Sequence, residues 1–533
     1  MARRWNGWGN EDVASSLSAE ARAFLASRVG NAQPASSLSR DDAVRRVGPG
    51  RLPSISPFSS DAATRLDHAC GQSLPDWIAL RTGLGAHCAD GVAMPETAED
   101  VHAALDAARR AGASVIPYGG GTSVAGHLAV PRGERPVVNI SLERLRGLRT
   151  FDGENLTATF GAGTPGPLVE SALRAHGCTL GHFPQSFELS TVGGWVATRS
   201  SGQQSLRYGR IEQLLQLAQL VTPVGAFTVG GDYPASSAGP DLREVVLGSE
   251  GRLGLLTDVT LRVRRLPEHE SFHASFFPSW DAGVMAVRAL AQEGAPLSML
   301  RLSNPLETIT QLALADGHAR SLAWLTRYLG WRGVGDGRCL LIAGVTGSAR
   351  DVRSARGALA ESVARHGGVR VGTTIGASWV RGRFRGPYLR NALWDAGYAV
   401  DTFETAVPWS RATTTMHAIE HALHTAIESE GERAHVFTHL SHVYRTGCSV
   451  YVTCVFRLAS EPDATLARWW RLKQAASMAV VAAGGTISHQ HGVGSDHAPW
   501  LEAEKGVAGM GVLRAMAREL DPDEMMNPGK LFT

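Results

Sequence analysis

Two stretches of this chain hold residue types that could do chemistry. The first is Pro117-Tyr-Gly-Gly-Gly-Thr-Ser-Val-Ala-Gly126, which follows the apolar run Ser114-Val115-Ile116 and has four glycines in ten residues. Glycine has no Cβ, so such a loop can turn sharply and bring its backbone against a ligand. Successive backbone N–H groups then make a concave anion site, and Thr122 and Ser123 add hydroxyl donors. The chemistry is phosphate or pyrophosphate binding; a tight turn after a strand is the simpler alternative. The loop is neither a Gly-x-Gly-x-x-Gly fingerprint opening a helix nor a Walker loop, because no Lys-Ser/Thr follows.

The second is Gly484-Gly-Thr-Ile-Ser-His-Gln-His-Gly-Val-Gly494. On an extended segment, His489 and His491 would point to one side. They could bind a metal with His442 or His497 as a third ligand, or accept protons near neutral pH. A loop of polar residues is the simpler alternative, and the resemblance described below favours active-site histidines with no metal. A third feature is Arg301, which emerges from the apolar run Ser298-Met-Leu-Arg-Leu302. A buried cation there is costly unless it meets an anion. Its planar fork suits a phosphate or carboxylate, and the competing reading is a structural ion pair with a core acid.

The elements that must position these residues fall into several regions. At 533 residues the chain needs two or three domains. From Gly91 the pattern is β/α: a strand near Val92, an alanine-rich helix over Val101–Ala111, the strand Ser114–Ile116, then the glycine loop. Val137–Ile140, Thr157–Phe160, Val245–Leu247 and Leu255–Val263 read as strands, and Thr164–His176 as a helix. Beyond residue 268, strand-like runs (Ser271–Phe277, Cys339–Val345, Val450–Phe456) alternate with helical ones (Ala282–Glu293, Ala349–His366, Ala464–Ala483), which suits an antiparallel sheet covered by helices. The expected fold class is α+β: an N-terminal segment 1–84, a nucleotide-type domain 85–267, a cap 268–483 and a C-terminal segment 484–533.

Composition narrows the function classes. Hydrophobic content of 44% with 19% charged residues is ordinary for a soluble globular protein, and a net charge of +2 gives no push toward nucleic acid. Six scattered cysteines form no Cys-x-x-Cys pair, so neither a disulfide framework nor a zinc site is expected and a reducing cytoplasm is the default compartment. No apolar run reaches spanning length, and Arg3-Arg4 has no hydrophobic region behind it. A peripheral membrane contact and a homodimer stay open.

Pro184-Gln-Ser-Phe-Glu-Leu-Ser-Thr-Val-Gly-Gly194, Ala197-Thr-Arg-Ser-Ser-Gly202, Arg207-Tyr-Gly209 and Gly248-Ser-Glu-Gly-Arg-Leu-Gly254 follow the glycine loop in order. This series resembles the FAD-binding domain of the vanillyl-alcohol-oxidase (PCMH-type) flavoproteins over roughly residues 85–267. The resemblance implies FAD, with its pyrophosphate on Pro117, Tyr118, Gly119, Gly120, Gly121, Thr122 and Ser123. Ser190, Thr191, Gly193, Gly194, Ser201 and Gly202 would line the flavin, and Glu250, Gly254 and Leu255 the adenine and ribose side. The loop core has neither His nor Cys, and His127 lies just past it, so non-covalent FAD is expected.

Within that superfamily the chain resembles the alkyldihydroxyacetonephosphate synthases, from Trp5-Asn-Gly-Trp-Gly to the C-terminus. Their histidine segment reads Gly-Gly-Thr-x-Ser-His-His-His-Gly-x-Gly, so Gln490 departs from it while His489 and His491 match. Arg301 stands in a segment like one that carries an arginine needed for activity. Thr446-Gly-Cys-Ser-Val-Tyr-Val452 resembles the strand of a catalytic tyrosine, here Tyr451. Arg390 and Glu404 fall in further matching segments and could form a positioning pair. The resemblance implies exchange of the acyl chain of acyl-dihydroxyacetone phosphate for a fatty alcohol, in ether lipid synthesis, with no net redox. Arg301 and Arg390 would bind substrate; Tyr451, His489 and His491 would move protons and assist the leaving carboxylate. The alternative is an FAD-linked oxidase or dehydrogenase of a 2-hydroxy acid or alcohol, which needs only a small polar pocket where the synthase needs a long apolar one.

Overall fold

The first sheet has three parallel strands, Gly91–Ala93, Val137–Ser141 and Ser114–Tyr118, in that spatial order. The helix Ala98–Arg110 crosses over from the first of these strands to Ser114–Tyr118, with Val137–Ser141 between them in the sheet. That helix starts on a reciprocal cap between Thr97 and Asp100 and buries Val101, Ala104, Leu105 and Ala108. The strand Ser114–Tyr118 runs straight into the glycine loop, so the loop sits at the carboxyl end of a parallel strand, where open α/β sheets bind ligands. The computed structural model describes residues 3–52, 55–84, 87–314 and 319–532, without the side chains of 314 and 319–321. The expected domain boundary at residue 85 lies outside the described residues.

A second, antiparallel sheet orders its five strands as Leu148–Asp152, Thr157–Gly161, Leu255–Arg262, Leu215–Thr222 and Gly225–Gly230. One apolar cluster joins both sheets and takes in Met525 and Met526 from the far end of the chain. There Val115 donates to the carbonyl of Met525 at 2.7 Å, and Asn527 donates back to Val115 at 2.7 Å. The strand expected at Val245–Leu247 is instead the short helix Arg243–Val246. Three apolar residues cannot distinguish the two periods, and burial alone produced that run.

The cap is a seven-stranded antiparallel sheet ordered Val369–Gly372, His269–Phe277, Cys339–Gly347, Leu297–Ser303, Ala434–Leu440, Gly447–Arg457 and Tyr398–Pro408. Helices Trp280–Gln292, Ala349–Arg365, Ala412–Glu428 and Pro462–Ala482 pack on it, as the alternating pattern implied. Pairing puts His439 opposite Tyr451, Tyr451 opposite Glu404, and Ser303 opposite His439. Residues paired across antiparallel strands project to the same face. One rung therefore presents Ser303, His439, Tyr451 and Glu404 together, with Arg301 two residues along its strand.

The N-terminal segment docks on this body. Trp8 is buried and exchanges backbone bonds with the Asn391 amide, donating to Oδ1 (3.1 Å) and accepting from Nδ2 (3.0 Å). Arg81 lies against the rings of Trp77 and Trp394 and hydrogen-bonds the same Asn391 Oδ1. Asn391→Ala leaves the buried Trp8 backbone groups unpaired, and each such group costs about 1–3 kcal/mol. The expected outcome is a urea midpoint lowered by at least that energy with an unchanged m-value; an unchanged midpoint would show that the tether carries no stability.

Candidate active site

A single cavity of about 820 Å³ runs from the glycine loop to the cap rung and on between apolar side chains. At its first end, Pro117 to Ser123 line the wall. The N–H groups of Gly119, Gly120, Gly121, Thr122 and Ser123 donate to no acceptor among the described residues. Five consecutive uncommitted donors suit a pyrophosphate. Close packing behind them requires glycine: a Cβ on Gly120 would lie 2.1 Å from the Leu189 carbonyl oxygen, and Gly121 has φ +60°. Arg3 donates to the Gly120 carbonyl at 2.5 Å, so the extreme N-terminus adds a cation to this loop, which the sequence reading missed.

Ser190, Thr191, Gly193, Gly194, Ser201, Glu250 and Gly254 also reach the cavity. Thr191 Oγ1 accepts from Gly194 N–H and starts the helix Val192–Thr198. Two expected cofactor residues do not face the cavity. Gly202 packs on the Phe183 backbone, leaving Ser200 and Ser201 at the wall. Leu255 is buried in the core and Leu256 faces inward instead, because successive strand residues alternate sides and the expected register was off by one. Glu250 is also more than a cavity residue. Its carboxylate accepts from Val493 N–H (2.5 Å) and Gly494 N–H (2.7 Å) and lies 3.1 Å from His127 Nε2, while His127 Nδ1 contacts Ser123 Oγ. Glu250 thus ties the histidine segment to the glycine loop.

At the second end, Arg301, Arg390, His439, His442, Tyr451, Gln490 and His491 line the wall. Glu404 lies behind them, fully buried. Its Oε1 faces His489 Nδ1 at 3.0 Å and its Oε2 accepts from Gln490 Nε2 at 2.7 Å. His442 Nε2 and His491 Nε2 stand 4.0 and 3.8 Å from the same carboxylate. Burial pushes the Glu404 carboxyl up, but the contact with His489 outweighs it, so the group stays ionised well below the usual range. Burial lowers His442 to about 3 and lowers His491, in each case with Glu404 opposing, so both are neutral at pH 7. Glu404, His442 and His489 converge as ligands around a cation would; a hydrogen bond joins Glu404 to His489, while His442 Nδ1 contacts Ser201 and Ser205.

Several site expectations change here. His489 is not on the cavity wall: it points back to Glu404 and to Arg210, whose Nη1 lies 2.8 Å from His489 Nε2. The segment 484–497 is a series of bends, not a strand, so the two histidines reach Glu404 by different routes and only His491 opens inward. Arg390 and Glu404 are not a pair. Arg390 donates to the Gln72 carbonyl at 2.7 Å and stacks on Trp77, with its other N–H groups free of acceptors among the described residues. Burial lowers it to about 10. Arg301 is already paired with Glu307 at 2.7 Å and touches Ser303 and His439. Burial raises Glu307, yet Arg301 and His439 hold it at about 2. Arg383 also lines the cavity, its guanidinium over the Phe183 and Phe384 rings and without an ion pair among the described residues; of Arg301 and Arg390, Arg390 is the one without an anion. Tyr451 lies between His439 (stacked, 4.7 Å) and His491 (edge-on, 5.7 Å), and burial raises its phenol, which keeps its proton.

The third wall is apolar. Leu17 and Leu25, beside the N-terminal helix Ala19–Val29 and on it, meet Leu389, Leu393, Phe437 and Val455 there. Sequence reasoning missed Arg210, Glu307, His439 and Tyr444. Only the tight Arg207-Tyr-Gly-Arg210 turn hinted at one of them.

Two family models match the chain: "FAD binding domain" over residues 89–230 and "FAD linked oxidases, C-terminal domain" over 266–531. An alkyldihydroxyacetonephosphate synthase from Dictyostelium discoideum is 30% identical, covering 89% of this chain and 78% of that protein. The enzyme of the same name from Trypanosoma brucei brucei is 28% identical, covering 99% and 92%. A solved alkyldihydroxyacetonephosphate synthase structure superposes with a TM-score of 0.84 at 25% identity, covering 99% and 98%. FAD is accordingly the cofactor, and the residues at the first end fit it. Gly120→Ala should push the loop off Leu189 and weaken FAD retention at least about tenfold, roughly 1.4 kcal/mol, measured by fluorescence of released flavin after gel filtration; full retention would place the pyrophosphate elsewhere.

Proposed function

The chain belongs to the alkyldihydroxyacetonephosphate synthase family, and we propose that it exchanges the ester-linked acyl chain of acyl-dihydroxyacetone phosphate for a fatty alcohol, releasing the fatty acid. The observation that supports this most is one cavity with three walls: a donor-rich glycine loop, a polar rung with an uncompensated arginine, and an apolar branch. A 2-hydroxy acid would leave Leu17, Leu25, Leu393, Phe437 and Val455 facing nothing, so the oxidase alternative does not use the branch.

FAD, held without a covalent link, supplies the electron-accepting ring for the exchange. Arg390 rather than Arg301 takes the substrate phosphate, because a buried guanidinium without an acid partner gains most from an anion; Arg383, whose guanidinium lies over two Phe rings, is a second such group on the cavity. Arg301 keeps His439 and, through it, the Tyr451 ring in place. Tyr451 enters the reaction protonated and gives its proton to the departing carboxylate, and the proton taken from the entering alcohol restores it. His491, neutral and beside Glu404, takes a proton as the alcohol adds. The apolar branch holds the departing and entering chains in turn, so one hydrophobic site serves both.

For a peripheral membrane contact, the supporting feature is the helix Ala319–Trp331. Trp324 and Trp331 are 69% and 81% exposed, with Arg327 and Arg332 on the same surface. Its Leu329 is buried against the cluster that contains Met299, a cavity residue. Exposed tryptophans among arginines suit an anionic bilayer interface.

Mixing the yellow protein with acyl-dihydroxyacetone phosphate under anaerobic conditions should bleach the flavin with fatty acid release, and fatty alcohol should restore the colour. Bleaching by a hydroxy acid that only an electron acceptor reverses would make it a dehydrogenase. Arg390→Ala should raise KM by about 100-fold, near 2.7 kcal/mol, in the steady-state assay; an unchanged KM removes Arg390 from phosphate binding. In vesicle flotation, wild type should bind bilayers containing phosphatidylglycerol and lose them on Trp324→Ala with Trp331→Ala. Equal binding by that double variant would overturn the membrane assignment.

A further inference from the structure

His489 is enclosed by charged and titratable groups from three other segments. Glu404 faces Nδ1, Arg210 and Tyr444 face Nε2, and the His442 ring is 5.0 Å away. Arg210 is held in turn by Glu212 at 2.8 Å and donates to the carbonyls of Arg199 and His489. His491, on the same segment, approaches the other side of Glu404.

A guanidinium has donors and no acceptor. With Arg210 Nη1 at 2.8 Å, His489 Nε2 must present its lone pair. The proton of the neutral ring is therefore on Nδ1, donated to Glu404 Oε1. Tyr444 reinforces this, accepting from Arg210 at 3.3 Å and donating to the same Nε2 at 2.7 Å. A second proton on His489 would set an N–H against a buried cation.

We propose that Arg210, with Tyr444, is a positioning residue that locks His489 as the neutral Nδ1–H tautomer and so leaves Oε2 of Glu404 to Gln490 and His491. The Nε2 of His489 is then taken up by Arg210 and Tyr444. The ring conveys no proton; it fixes the carboxylate. Gln490, a donor that never ionises, bonds Oε2 at 2.7 Å, and His491 is the imidazole beside that same oxygen at the cavity wall. This rests on the cavity being the active site proposed above, but the lock itself is independent of the substrate.

The test uses FAD-loaded protein isotopically labelled in its histidine nitrogens and reads the imidazole nitrogen shifts at neutral pH, with the His489 signals assigned by their loss in His489→Gln protein. In wild type, His489 should show a protonated Nδ1 and an unprotonated Nε2. Arg210→Met removes the cation facing Nε2, so that nitrogen is free to carry a proton and its signal should move toward the protonated position. Arg210→Lys keeps a cationic donor and should restore the wild-type pattern. In turnover, Arg210→Met should lower kcat about tenfold or more with KM little changed. Tyr444→Phe should have the smaller effect. A protonated Nε2 in wild type, or an unchanged pattern in Arg210→Met protein that retains its FAD, overturns the proposal. If the nitrogen signals behave as stated but no synthase turnover is found, the lock stands and the substrate reading falls.

Discussion

Much of this structure depends on a single buried carboxylate. Glu404 has no solvent, so every lone pair it exposes must meet a donor or a compensating field. The donors come from the segment 489–491, and the imidazole of His442 stands behind them. The His489 backbone also donates to the Glu404 carbonyl at 3.1 Å. Removing any of these partners leaves charge uncompensated in a low-dielectric interior, so the cap strand, the 441–446 loop and the histidine segment are constrained together. The cost of that burial is what converts a loop of bends into a defined active-site wall.

A second buried carboxylate repeats this at the other end of the same segment. Glu250 receives the N–H groups of Val493 and Gly494 and the Nε2 side of His127, and Asn527 Nδ2 donates to its backbone carbonyl. The histidine segment is thus clamped at 489–490 to the cap and at 493–494 to the cofactor domain. Domain orientation and active-site assembly are the same event. That explains why the C-terminal residues insert Met525 and Met526 into the first core: the chain must pass back across the cofactor loop to reach them.

Charge is distributed unequally between Arg301 and Arg390, two of the arginines on the cavity wall. Arg301 has its own acid in Glu307, so its field is mostly spent inside the protein. Arg390 has a carbonyl and an indole face but no acid, and its remaining donors open into the cavity. An apolar branch beyond it and a donor-rich loop on the far side give the cavity an amphipathic order: anion, reacting centre, hydrocarbon. A phosphorylated ketone carrying a long chain has that same order.

The sequence determined the local pieces. Glycines after Ile116, helices with period 3.6 and long apolar strands were legible because their causes lie within a few residues of one another. The glycine loop and the cap architecture followed from these, while His491, Tyr451, Arg301 and Arg390 were placed in one region only by the resemblance to the synthases. Tertiary structure alone decided which atoms meet. Sheet register set Leu256 rather than Leu255 toward the cavity and brought Ser303, His439, Tyr451 and Glu404 onto one rung. Glu307 took Arg301 out of contention, and Arg210, 279 residues from His489, fixed a tautomer that no spacing along the chain encodes. Such contacts depend on distances between segments, and a one-residue shift of a strand would reverse every one of them.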